Sequence, residues 1–222
     1  ACITPNFDRL IERGVRFDRA YTPNAVCSPA RASLMTGLLP HSHGVLEVTH
    51  CVDDDQSILR GDHAHWAQQL SAAGYRTGYF GKWHVERSNR LDTFGWQVNG
   101  CDANVAFRGL GQGPANEQEL LNSDDLAVYE TGPEGYNPIL HYGVTKLPAD
   151  QRDFGATTRR AQDFLAKVME KNQPWACVVS FSEPNTPLIA GKQAFDLYDV
   201  DAIRLPENMD DDLSDRHALY RR

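Results

Sequence analysis

The sequence predicts an α/β layer fold with a largely parallel sheet flanked by helices. Two observations carry that expectation. Helix-period apolar stripes recur along the chain, and the two clearest are each followed by a short apolar run of strand length. The chain is also long enough, at 222 residues with 41% hydrophobic and 23% charged positions, for a substantial core.

The elements follow in order. Thr4 and Pro5 read as an N-cap and a first helical residue; Phe7, Leu10 and Ile11 share one face, and Gly14 can close that helix. Val15 and Phe17 alternate with charged residues, as in a short strand. Ser28 reads as the cap of a second helix with Pro29 in its first turn, which runs through Leu34 and stops near Gly37. A further unit starts at Asp62, with Trp66, Leu70 and Ala73 at helical spacing and Gly74 as terminator. Tyr75 to Phe80 then reads as a strand, followed by Lys82, Trp83 and His84. Residues 85–150 carry many glycines and prolines with little periodicity and are expected to be irregular. From Phe154 onward, Ala161, Phe164, Leu165, Val168 and Met169 form a helical stripe that ends at Asn172 and Pro174. Trp175 to Phe181 is the following strand, and the tail from Asp199 is acidic, then basic.

Composition excludes several classes. The formal charge is −8 and the isoelectric point near 5.4, which argues against a nucleic-acid or polyanion binder. No apolar run approaches the length of a membrane span. Five cysteines, Cys2, Cys27, Cys51, Cys101 and Cys177, are an odd number without CxxC spacing, which argues against a zinc ribbon or a fully paired disulfide framework. The compartment stays open. The chain opens on Ala1, almost directly into a helix, without a signal pattern, and is expected to be cut from something longer.

The chemistry concentrates at Cys27-Ser-Pro-Ala-Arg31, followed by Thr36 and Gly37. A cysteine at a helix N-terminus meets free backbone N–H groups that favour an anion. Arg31, one turn on, can reach back toward it. On spacing alone, Cys27 reads equally as a plain buried cysteine ahead of a helix. A tyrosine-phosphatase loop is excluded, because the sixth residue after Cys27 is Ser33 rather than arginine. A papain-like site lacks its local signature. Lys82 and His84, as alternate residues at a strand end, would share a face while Trp83 packs away. Such a cation and imidazole suit an anionic group and its leaving oxygen; without the preceding motif, a solvated lysine and a surface histidine are the commoner case.

Cys27-x-Pro29-x-Arg31 with Thr36-Gly37 resembles the signature of the type I sulfatases. Thr4 to Phe17 resembles that family's lead-in helix and strand, and Gly74 to His84 its second signature, in the family's order. The resemblance covers residues 4–84, returns at 154–187 and is weak between them. It implies an alkaline-phosphatase-like α/β sandwich, of which residues 1–222 form part of a single catalytic domain, with 85–150 as a substrate-specificity region. It implies oxidation of Cys27 to formylglycine by a maturation enzyme, and hydrolysis of a small-molecule or saccharide sulfate ester. Cys27, Arg31, Lys82 and His84 would then be catalytic, with Lys82, His84 and Asn185 contacting the sulfate. At the position of Asn185 the family usually has a histidine; asparagine donates a hydrogen bond but carries no titratable proton.

The resemblance also implies a divalent cation, calcium by its hard oxygen donors. Cys27, as formylglycine, would be one ligand, with the remaining ligands expected outside this chain. Asp53-Asp54-Asp55 and Asp210-Asp211-Asp212 read as solvated turns, and His41-x-His43 as packing or capping the loop before Gly44. Two rivals remain: a phosphonate monoester or phosphodiester hydrolase on the same scaffold, and a non-catalytic sulfatase-like binding protein, which Asn185 favours.

Overall fold

The computed structural model describes residues 2–61, 64–88, 90–101, 120, 127–133, 135, 138–185, 187–215 and 217. The chain divides into two compact units, one of residues 1–108 and 157–181, the other of 109–156 and 182–222.

The first unit is built on a parallel sheet in the order β2-β1-β5, with β1 Arg76–Gly81, β2 Val98–Cys101 and β5 Trp175–Ser180. Its helices are α1 Pro5–Ile11, α2 Cys27–Thr36, α3 Pro40–His43, α4 Trp66–Ala72 and most of α5 Asp153–Glu170. Strand β1 is central and buried from Thr77 onward, as a parallel strand covered on both faces should be. Its alternate side chains feed two cores. Tyr79 packs edge-on against Trp83 and Trp96 among buried Met35, Val45 and Leu91. Phe80 packs on the α5 stripe, with its ring centroid 5.5 Å from that of Phe164 and with Ala161 and Val168 beside it. Leu165 is half-buried against the same cluster, while Met169, assigned to that stripe, is exposed.

Gly81 sets how β1 ends. Its φ is +90°, and a Cβ there would lie 2.0 Å from the Ser180 carbonyl oxygen. Only glycine permits that approach of β1 to β5. The Lys82 N–H then donates to the same Ser180 oxygen at 2.8 Å.

The second unit holds a mixed sheet in the order β3-β4-β6, formed by β3 Ala127–Glu130, β4 Ile139–Thr145 and β6 Leu188–Gly191, followed by α6 Lys192–Phe195. Leu120 and Leu140 are its buried centre, with Ala127, Leu147 and Ile189 against them.

Several sequence expectations need correction. Residues 85–150 are not uniformly irregular: β2, β3 and β4 lie there, short strands whose glycines and brevity hide the alternation. Residues 102–119 and 121–126 of that region lie outside the described residues, as does Asp62. Val15 to Phe17 form no strand; the side chains of Val15 and Phe17 are exposed, and an alternating stretch without an edge to pair with has nothing to hold it extended. Ser28 is not a cap. Helix α2 begins two residues earlier, at Cys27, Val26 is the N-cap, and the buried Ser28 hydroxyl accepts from the Thr49 N–H. Helix α4 is capped instead by His65, whose ring accepts from the Ala67 N–H while Gln68 reaches back to the His65 N–H.

Candidate active site

The C-terminal ends of β1 and β5 meet the N-terminal turn of α2, the end of an open parallel sheet where ligands gather. A cleft of about 990 Å³ opens there, lined by Cys27, Arg31, Tyr79, Ser180, Tyr21 and Leu39 among others. Cys27 is the first residue of α2 and is half-buried; Gly37, at φ +72°, closes the helix behind it.

Arg31 is the best-held side chain of the site. Its Nη1 donates to Ser180 Oγ at 2.8 Å and to the Lys82 carbonyl at 3.0 Å, with the Tyr79 hydroxyl and the Trp83 carbonyl at 3.5 Å. The Tyr79 hydroxyl donates to the same Lys82 carbonyl at 2.7 Å. Burial raises the Tyr79 phenol above its ordinary value, so it stays a donor at neutral pH. Arg31 therefore does not reach back to Cys27 by a hydrogen bond, as one-turn spacing suggested. It bridges the ends of β1 and β5 and shares the cleft wall with Cys27. Nη1 makes these bonds, all to neutral oxygens, so the guanidinium keeps its positive charge for an anion in the cleft.

Lys82 and His84 do come together, though not by strand alternation. The strand stops at Gly81, Trp83 packs into the core, and His84 has φ +47°, a left-handed backbone unusual for a residue other than glycine. The three residues thus follow an irregular segment rather than a pleat. Neither Lys82 nor His84 is among the cleft's lining residues, but Arg31 ties that segment to the cleft through the Lys82 carbonyl. His84 is pushed down to about 4 by burial first, then by the charges of Lys82, His50 and Arg31. Its imidazole is neutral at pH 7, and its Nδ1 is buried without a partner.

Asn185 belongs to the second unit, where it is exposed and its N–H donates to the Ser182 carbonyl at 3.1 Å. The buried His43 packs before Gly44 as expected. Its Nδ1 accepts from the Val45 N–H at 3.1 Å, so its proton sits on Nε2 and faces Ser33 Oγ at 3.0 Å. Ser33 is consequently not a base-activated nucleophile. Asp211 and Asp212 accept from the Leu213 and Ser214 N–H groups, as turn residues do, and Asp54–Gln56 is a short 3-10 turn.

A divalent cation needs several hard ligands. Among the described residues no group of three or more His, Cys, Asp or Glu converges to hold one, so the residues described do not fit a complete cation site. Also among the described residues, no helix is long and apolar enough to cross a membrane.

Sequence reasoning missed Tyr79, Ser180 and His50. Ser180 ends an apolar strand, which marks it in an α/β sheet. Tyr79 looked like core, and nothing in the sequence marks His50.

The profile of the sulfatase family matches residues 2–215. A curated relative, an uncharacterized sulfatase YidJ of Escherichia coli, is 30% identical over 223 residues, covering 98% of this chain and 41% of that protein. The N-acetylglucosamine-6-O-sulfatase of Bacteroides thetaiotaomicron is 39% identical over 82 residues, 37% of this chain and 13% of that protein. A solved structure of a protein bound to its substrate, D-glucosamine-2-N,6-O-disulfate, superposes with a TM-score of 0.56 at 22% identity, over 96% of this chain and 36% of that one. The chain thus spans less than half the length of these relatives. The parallel sheet, the cysteine-led helix and the match along almost the whole chain agree: this chain belongs to the sulfatase family.

Proposed function

We propose that this chain carries the nucleophile and the anion-holding charges of a sulfuric ester hydrolase, and that residues 1–222 are part of one catalytic domain. The observation that carries the reading is Arg31, fixed between Ser180 Oγ and the Lys82 carbonyl on the wall of the cleft that Cys27 also lines. Cys27 oxidised to formylglycine supplies, in its hydrated form, the hydroxyl that takes the sulfuryl group. The α2 N-terminus and Arg31 stabilise the negative charge that grows on the sulfuryl oxygens during transfer. Lys82 binds the sulfate, and His84 donates a hydrogen bond toward the leaving oxygen. Asn185 contributes a neutral hydrogen-bond donor to the sulfate, and the 85–150 region selects the alcohol.

The substrate class we infer is a saccharide sulfate ester. The relative named for N-acetylglucosamine-6-O-sulfate and the neighbour bound to a sulfated glucosamine support it. The cation is proposed to be calcium, with Cys27, as formylglycine, the one ligand that this chain's site contributes.

Two measurements on the full-length protein from its native host test the reading. Peptide mass spectrometry should find formylglycine at position 27; an entirely unmodified thiol removes the nucleophile. Parallel assays should show turnover of a sulfated sugar or aryl sulfate well above that of a phosphonate monoester. The reverse preference would make it a phosphonate hydrolase, and tight sulfate-ester binding without turnover a binding protein.

A further inference from the structure

The loop at residues 49–52 is tied to both catalytic segments. Thr49 is buried; its N–H donates to Ser28 Oγ at 3.4 Å, one residue from Cys27. Its carbonyl accepts from Arg87 Nε at 3.0 Å and Nη2 at 2.6 Å, three residues beyond His84. Arg87 Nη2 also donates to the Val52 carbonyl, and the Cys51 N–H to the Val48 carbonyl at 2.9 Å. From this braced loop the His50 ring lies beside that of His84, with ring centroids 5.3 Å apart and planes within 15°. His50 Nδ1 lies 3.2 Å from His84 Nε2.

One proton joins those two nitrogens, so at least one ring is neutral. The side of His84 away from His50 ends in the buried, unpartnered Nδ1. A buried N–H without an acceptor is costly unless a ligand supplies one. Lys82 and Arg31 place positive charge around the ring, and an anion drawn there brings oxygen acceptors. The left-handed backbone of His84 adds a strain that functional positions tolerate when their surroundings hold them in place.

We propose that His50 is a positioning residue for His84: its Nδ1–H donates to His84 Nε2 and keeps the His84 proton on Nδ1. This rests on the sulfatase reading for its consequence in turnover, and on geometry alone for the tautomer. Which imidazole nitrogen carries the proton is set by the bond the other nitrogen makes. The lowered proton affinity of His84 agrees, since a neutral ring needs its tautomer fixed by a neighbour.

The experiment compares the parent full-length, matured protein with His50→Ala and His50→Asn. Nitrogen-15 NMR of the ring should find His84 as the Nδ1–H form in the parent and as a mixture in His50→Ala. Turnover of a sulfate ester should fall about tenfold in kcat in His50→Ala, with KM changed less than about twofold. His50→Asn, whose amide N–H can donate to Nε2, should recover part of the loss. An Nε2–H form of His84 in the parent, or an unchanged tautomer in His50→Ala, overturns the proposal. So does an unchanged kcat in His50→Ala. Should the parent hydrolyse no sulfate ester, the sulfatase reading fails, while the tautomer measurement still decides whether His50 positions His84.

Discussion

Helices α1 and α2 start from similar sequence and end in different circumstances. Both carry a proline in the first turn and both close near a glycine. Helix α1 has the clearer apolar face, yet it buries no residue: Phe7 is 67% and Leu10 66% exposed. Helix α2 has a face of mostly small residues and buries five positions, the small Ser28, Pro29, Ala32 and Ser33 together with Met35. Small side chains let α2 lie close to its neighbours, and its one long polar residue, Arg31, extends to the strand ends. An apolar stripe therefore states that a helix needs a partner, not that this chain provides it. The site is rigid where the chain supplies its own partners, at α2, Gly81 and Ser180.

The largest expected effect is at Arg31. Arg31→Ala in the full-length matured protein should lower kcat/KM for a sulfate ester by about 10² to 10³-fold. Arg31→Lys should rescue little, because a lysine nitrogen bound to Ser180 Oγ and the Lys82 carbonyl, as Arg31 Nη1 is, leaves no second nitrogen for the anion. Steady-state kinetics decide it, and parental kinetics in Arg31→Ala would leave Arg31 as scaffolding only.

Gly81 comes next. Gly81→Ala puts a Cβ on the Ser180 carbonyl and forces a left-handed backbone on alanine. Denaturant unfolding should show a loss of about 3 kcal/mol or more. A loss below about 0.5 kcal/mol would mean that the close β1–β5 approach is not held in solution.

The α4 cap makes the same contrast titratable. His65 is 1% exposed, ringed by Trp66, Trp83, Phe94 and Trp96, and burial lowers it to about 4 from 6.5. As pH falls below 6.5 the unfolded chain takes up the proton and the folded one does not. Stability should fall between about pH 6.5 and 4, by on the order of 3 kcal/mol in all, and level off below. His65→Asn keeps a capping acceptor without the titration, so its stability should change less across that window. Equal pH slopes for parent and variant would contradict the assignment.

The smallest effect belongs to α1. Phe7→Ser should change the stability of this chain by less than about 0.5 kcal/mol, as at other exposed positions. A loss of about 2 kcal/mol or more would show that the α1 face is covered after all.

The same contrast governs how much was legible in the sequence. Helices α2, α4 and α5 and strands β1 and β5 follow from periodicity and from Gly37, Gly74 and Pro174, because each packs at least part of its length against the others. Strands β2, β3 and β4 escaped, because four to seven residues with glycines carry too little alternation. Cys27, Arg31, Lys82 and His84 stood out through local spacing, but the orientation of Arg31 did not. Its acceptors, Ser180 and the Lys82 carbonyl, lie 149 and 51 residues away. His50 carried no signal because its partner is 34 residues distant and its loop is held by backbone carbonyls that any sequence supplies.

The account turns on Cys27 as the origin of the nucleophile. The direct measurement is sulfate-ester hydrolysis by the full-length protein, matured in its native host, beside its Cys27→Ala variant at equal folded concentration. The account predicts turnover in the parent and background rate in the variant. Equal turnover by the two proteins would contradict it.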